Sequence, residues 1–134
     1  MDLAKYRTLF LEEASEHLAE MSRALLVLEK DPASTDSIDL VFRMAHSTKS
    51  MAASLGYEAI SEIAHRLEDR MQVVRSAGRI EDAADLPLLF RGLETLERMV
   101  DVVRETGEPP PPDPELAQVL GSAPGLKKKA LRRR

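Results

Sequence analysis

The pair of side chains best suited to chemistry in this chain is a histidine followed three residues later by a lysine. His46 and Lys49 lie in the run AHSTKS, residues 45–50, inside an apolar pattern typical of an amphipathic helix. A neutral imidazole carries one free lone pair that can attack a phosphoryl donor, and an ammonium one helical turn away can balance the negative charge that develops. The pair therefore indicates a phosphate-accepting histidine, provided that the fold brings a suitable carboxylate beside it.

The elements that must position this pair are long helices, because apolar residues recur along the chain every three or four positions. Asp2 is expected to cap the first helix and Thr35 or Asp36 the second, while Gly56 is expected to stop the second. Short connections between long amphipathic helices imply antiparallel neighbours. The predicted fold is therefore all-α, an up-down-up-down four-helix bundle with a short fifth helix near the C-terminus. The expected helices cover about 3–30, 35–55, 58–77, 85–107 and 114–120.

Length and composition fit one domain followed by a linker. The chain has 134 residues, of which 43% are apolar and 4% aromatic, so aliphatic side chains must fill the core. We assign residues 1–107 to the bundle and 108–134 to a proline-rich linker that contains the short helix 114–120 and a basic tail. The absence of cysteine excludes disulfides, thiolate catalysis and cysteine zinc sites. The N-terminus lacks the apolar core of a signal peptide, so a cytoplasmic location is expected.

The charge is distributed unevenly along the chain. Six basic side chains stand in residues 127–134, and the remaining 13 basic side chains face 23 acidic ones, which gives the rest of the chain a charge of −10. A body this acidic is a poor ligand for nucleic acid, and no apolar run approaches the roughly 18–20 residues of a membrane span. We therefore expect a monomer that binds neither nucleic acid nor membrane, with the basic tail as solvated linker.

The predicted turn at Gly56 brings further side chains to the height of His46. Glu68 and His65 follow that glycine by twelve and nine residues, and His46 precedes it by ten, so antiparallel helices would place them side by side. If Glu68 accepts the proton of one ring nitrogen, it fixes the tautomer and leaves the other nitrogen as the nucleophile. Lys49 is expected to offset charge on the incoming phosphoryl group, and His65 to tune the site.

Several sequence runs resemble the histidine phosphotransfer domain at the start of CheA-type chemotaxis kinases. They are FLEEA at 10–14, FRMAHSTKS at 42–50, LGY at 55–57 and IAHRLED at 63–69, and the similarity covers about residues 3–106. The resemblance implies that His46 is phosphorylated on its outer ring nitrogen while Glu68 bonds the inner one. It also implies that Lys49 and His65 flank the site and support phosphorylation.

The same resemblance implies the partners. A separate kinase ATP-binding domain of a CheA-like protein would load His46 using ATP and magnesium, and an aspartate of a CheY-like response regulator receiver would take the phosphoryl group. The domain itself would hold no cofactor and no metal, and would not be a complete enzyme. Two positions depart from the family pattern: Thr48 stands where an apolar residue is usual, and Ser50 stands where glycine is usual. These departures are expected to affect partner choice and rate.

Other interpretations use the same residues. His46, His65 and Glu68 are possible zinc or iron ligands, but Lys49 would repel the cation and the shell would be incomplete. A free-standing phosphorelay protein is the nearest functional alternative, and a helical interaction module without phosphorylation is an alternative from a different class. His17, between two glutamates on the first helix, is expected to be a surface residue.

Overall fold

The structure, a computed structural model, describes residues 2–121 and contains five α-helices in that range. The predicted all-α bundle with a short C-terminal helix is confirmed, and the predicted basic tail at 127–134 lies outside the described residues. The helices are α1 (Leu3–Lys30), α2 (Thr35–Ser54), α3 (Glu58–Ala77), α4 (Asp85–Thr106) and α5 (Pro114–Gly121).

The first four helices form a closed ring around one apolar core. α1 packs against α2 and α4, α3 packs against α2 and α4, and α5 lies on the outside against α3 and α4. Aliphatic side chains fill the interior, as the low aromatic content requires, and an edge-to-face contact between Phe10 and Tyr57 closes one end at 5.1 Å between ring centroids. Fully buried large core residues include Met21, Leu25, Leu28, Ile38, Ile60, Ile63, Leu67, Met71, Leu89 and Leu96.

The helix ends follow from local capping chemistry. The Asp2 carboxylate accepts a hydrogen bond from the backbone N–H of Lys5 at 3.2 Å, as predicted. The cap of α2 is Ser34 rather than Thr35 or Asp36, because Ser34 keeps an extended backbone while the next two residues are already helical. Gly56 has a φ of 77°, so the turn after α2 uses the left-handed conformation that glycine tolerates best. This tight turn sets α2 and α3 side by side.

The fifth helix is held to the bundle by a buried arginine. Arg70 on α3 is 3% exposed, and its Nη1 donates to the carbonyl oxygen of Leu120 at 2.6 Å. Its Nη2 and Nε lie 2.9 Å and 3.1 Å from Oδ1 of Asp85, the first residue of α4. Leu116, Ala117 and Leu120 bury the apolar face of α5. The division between bundle and linker at residue 107 stays a prediction.

α4 approaches α3 closely at Gly92. A Cβ atom added there would lie 2.7 Å from Cδ2 of Leu67, a contact too short for two carbon atoms. Glycine therefore leaves room for the Leu67 side chain, which belongs to the residue immediately before Glu68.

Candidate functional site

His46 and Glu68 meet across the seam between α2 and α3. Nδ1 of His46 lies 2.5 Å from Oε2 of Glu68, which is a short hydrogen bond between side chains 22 positions apart in sequence. The side chain of His46 is 55% exposed, whereas that of Glu68 is 12% exposed. The imidazole is thus held from below by a largely buried carboxylate while the rest of the ring faces solvent.

The position of the ring proton follows from the charge of Glu68. Partial burial raises the pKa of the Glu68 carboxyl, but hydrogen bonds from Lys49 and His46, together with their positive charge, outweigh burial and leave that pKa below its ordinary value. An ionised carboxylate can only accept hydrogen bonds, so Nδ1 of His46 carries the proton. In the neutral form of the imidazole, the free lone pair is therefore on Nε2.

Lys49 binds the other oxygen of the same carboxylate. Its Nζ lies 2.6 Å from Oε1 of Glu68, and its side chain is 25% exposed. The hydroxyl of Ser61 on α3 donates to the backbone carbonyl of Lys49 at 3.3 Å, which ties the two helices together one turn below the site. The ammonium is therefore engaged on the Nδ1 side of the ring. Its predicted role beside the phosphoryl group stays a prediction, and the contact seen here holds Glu68 in place.

His65 lies apart from this cluster. It is 55% exposed, and its Nε2 lies 3.6 Å from Oδ1 of Asp69 on the next turn of α3. No hydrogen bond or ion pair joins it to His46 among the described residues. It instead lines an open groove of about 770 Å³ that also includes Gly56, Glu62 and the prolines before α5. The predicted tuning role of His65 stays a prediction, and the direct partner of its ring is Asp69.

Two supporting contacts between α2 and α3 were not predicted. Ser61 stands seven residues before Glu68, so the helical period places both on the face toward α2, and this spacing could have indicated the contact. Arg75 lies over the Phe42 ring at 4.4 Å, and its Nε is 3.0 Å from Oδ1 of Asp39. No sequence signal pointed to that second contact, because its partners are ordinary surface residue types.

Neither a metal site nor a membrane span is found in the part of the chain that the structure describes. No group of three or more histidine, aspartate or glutamate side chains in residues 2–121 is arranged to hold a metal ion. No described helix is both long enough and apolar enough to cross a bilayer.

A family model for the Hpt domain matches residues 5–106, a range that covers the four helices of the ring except the first two residues of α1. The chain belongs to the Hpt domain family. The resemblance that rested on the sequence runs around His46 and Glu68 is thereby confirmed.

Relatives of this Hpt domain include the chemotaxis protein CheA of Bacillus subtilis, which is 37% identical over 109 residues. That alignment covers 81% of this chain and 16% of the relative, so the chain spans about one sixth of the length of that protein. The solution structure of the histidine phosphotransfer domain of CheA aligns with a TM-score of 0.78 and 28% identity, covering 88% of this chain and 90% of the other. The phosphorylated P1 domain of CheA3 in complex with CheY6 from R. sphaeroides shares the fold, with a TM-score of 0.75, 24% identity and coverage of 88% and 94%.

The two departures of this Hpt domain from the family pattern lie in different surroundings. Thr48 is fully buried, and its Oγ1 has no hydrogen-bond partner among the described residues. Ser50 is exposed on α2, four residues after His46, so it lies on the same helical face. The expected surface position of His17 is wrong, since the residue is half-buried and its Nδ1 is enclosed without a hydrogen bond in the described structure.

Proposed function

We propose that this chain is a histidine phosphotransfer domain of chemotaxis-type two-component signalling, with His46 as the phosphorylated residue. The observation that carries the proposal is the geometry of the ring: Nδ1 is hydrogen-bonded to an ionised, largely buried Glu68, and the imidazole is exposed. A nucleophile that is basic, oriented and accessible is what attack on a phosphoryl donor bound to another protein requires.

The first half of the reaction loads the histidine. The lone pair on Nε2 attacks the γ-phosphorus of ATP, the bond from that phosphorus to the β,γ-bridging oxygen breaks, and ADP leaves. The ring gains positive charge as the Nε2–P bond forms, and Glu68 stabilises that charge through the proton on Nδ1. ATP and magnesium belong to a separate kinase domain in this proposal, and this domain contributes the oriented nucleophile.

The second half of the reaction removes the phosphoryl group from the histidine. A carboxylate oxygen of a response regulator aspartate attacks the same phosphorus, the Nε2–P bond breaks, and its electron pair returns to the ring. The imidazole is then ready for another cycle with its proton still on Nδ1. The CheA-like kinase domain, the CheY-like receiver and a cytoplasmic location are all parts of the proposal, supported by family membership and by the likeness to CheA relatives.

The proposal is tested by incubating the domain with a CheA-type kinase core, labelled ATP and magnesium. The expected result is an acid-labile, base-stable label that His46→Gln abolishes without loss of helical content. His65→Gln is the comparison variant, because it removes an equally exposed histidine that does not contact Glu68. It should still be labelled, since its predicted tuning role changes the rate and not the acceptor. Absence of label with a competent kinase, or label that persists in His46→Gln, would contradict the proposal.

A further inference from the structure

A phosphoryl group on His46 needs a cation that Lys49 does not supply in this structure. Such a group carries about −1.5 to −2 charges near neutral pH and offers three acceptor oxygens. Lys49 is already paired at 2.6 Å with Glu68, the carboxylate that contacts Nδ1 of His46. Moving that ammonium to the phosphoryl group would break its contact with Glu68 and leave His46 as the one remaining partner of that carboxylate among the described residues. The oxygens on Nε2 are therefore expected to find another donor.

Arg43 is the cation positioned to do so. It is exposed and stands three residues before His46, so the two side chains are neighbours on the same face of α2. Side chains on a helix lean toward its N-terminus, so the imidazole of His46 extends over the turn that carries Arg43. Ser50, on the C-terminal side, lies behind the ring by the same rule.

The guanidinium of Arg43 is exposed and is not committed to an ion pair in the part of the chain that the structure describes. Among the described residues its one contact is from Nε to the backbone carbonyl of Asp39 at 3.4 Å, a long bond on an exposed surface, and no carboxylate pairs with it. The nearby Arg75 differs, because it is held by the Asp39 carboxylate and by the ring of Phe42. Arg43 also lines an open groove of about 460 Å³ together with these three residues, so its side chain is not enclosed by the core.

We propose that Arg43 is the phosphoryl-binding cation of the site, donating from its guanidinium to oxygens of the group on Nε2 of His46. This inference rests on the proposed function. The planar guanidinium presents parallel N–H donors that match two phosphoryl oxygens, which a lysine ammonium cannot do. The site then has two sides: Glu68 and Lys49 control the proton on Nδ1, and Arg43 binds the group on Nε2.

Phosphoramidate tests this assignment without any partner protein. Nε2 attacks its phosphorus, the P–N bond of the reagent breaks, and ammonia leaves with a proton, so no kinase contact enters the rate. Arg43→Gln is expected to slow phosphorylation of His46 roughly tenfold, the effect of losing a charge-assisted hydrogen bond. Arg43→Lys should recover part of the rate. Arg79→Gln is the matched control, since it removes the same charge from an exposed loop arginine remote from the site.

A phosphorus-31 titration gives the second measurement. Loss of a neighbouring guanidinium should raise the second pKa of the phosphoryl group in Arg43→Gln, whereas nitrogen-15 spectra should show an unchanged His46 tautomer. A rate and titration equal to those of the unmodified domain, or an equal loss in Arg79→Gln, would overturn the assignment. So would a defect seen with a kinase core but not with phosphoramidate, which would make Arg43 a docking residue. If the unmodified domain forms no phosphohistidine with either donor, the proposed function itself fails and this inference fails with it.

Discussion

Glu68 and Arg70 stand two positions apart on α3, and each holds an ion pair that serves a different purpose. Glu68 is a carboxylate between two nitrogen donors at a solvent-open seam, and one of those donors, His46, is 55% exposed. Arg70 is a guanidinium between a carboxylate and a backbone carbonyl, and it is 3% exposed. One helix thus presents a solvent-open cluster, His46–Glu68–Lys49, to α2 and a buried cluster around Arg70 to α4 and α5.

The difference shows how exposure separates chemistry from stability. A charge pair near solvent contributes little to folding, but it can orient a nucleophile and set its proton. A buried ion pair is not accessible to a substrate, but removing one partner leaves the other charge unpaired in the apolar interior, which lowers stability. We therefore expect substitutions at Glu68 to change rate and substitutions at Arg70 to change stability.

The largest expected effect on stability is that of Arg70→Met. The change leaves Asp85 and the carbonyl of Leu120 without their partner, so it should lower the free energy of unfolding by about 3–5 kcal/mol. Chemical denaturation followed by circular dichroism measures this loss. Arg79→Met, on the exposed loop after α3, is the control and should stay within about 0.5 kcal/mol. A loss at Arg70 no larger than at Arg79 would mean that the buried cluster does not hold α5.

Glu68→Gln should change the rate of His46 phosphorylation rather than the stability of the domain. It removes the charge that keeps the proton on Nδ1 of His46, and phosphorylation is expected to slow by about 10- to 100-fold. Stability should change by less than about 1 kcal/mol, because the pair is close to solvent. Nitrogen-15 NMR of the ring reports the tautomer directly. An unchanged tautomer in this variant would refute the orienting role of Glu68.

The pH dependence of the same carboxylate provides a third prediction. Because the pKa of Glu68 is lowered in the folded domain, its contribution to stability is present above the ordinary glutamate pKa of about 4.3 and is lost as the pH falls through the lowered value. Lys49→Met removes one cause of the lowering, so the Glu68 pKa should rise. Carbon-13 NMR of the carboxyl group measures both values. Identical values would show that Lys49 does not stabilise the ionised carboxylate.

The smallest effect is expected at a carboxylate that has no ion-pair partner among the described residues. The side chain of Glu97 on α4 is exposed, but partial desolvation of its carboxyl raises its pKa, and repulsion from Glu94 and Asp101 raises it further, so the charged form is disfavoured in the folded state. The penalty is absent below the ordinary pKa and appears as the pH rises through the raised one. Glu97→Gln should therefore stabilise the domain at neutral pH by about 0.2–0.5 kcal/mol, measured by denaturation at pH 7 and pH 4. Equal changes at both pH values would contradict this electrostatic origin.

The amino-acid sequence predicts the cluster around His46 and Glu68 better than the cluster around Arg70. Helical periodicity and the turn glycine at 56 place His46 and Glu68 at one height, and a carboxylate beside a histidine has a recognisable purpose. Arg70 gave no such signal, because arginine is usually a surface residue and its partners are a helix-end carboxylate and a backbone carbonyl 50 positions away. His65 lies at a similar height, but its ring contacts Asp69 on its own helix, because shared height does not decide on which side a ring turns. Its tuning role stays a prediction.

Gly92 extends this contrast to a residue that has no functional group at all. Because a methyl group there would collide with Leu67, the spacing between α3 and α4 is set by the smallest side chain on α4. Leu67 immediately precedes Glu68, so any outward shift of α3 at that point would move the carboxylate relative to the imidazole on α2. A larger side chain at position 92 would therefore have to displace the Leu67 side chain, next to the residue that holds Nδ1 of His46.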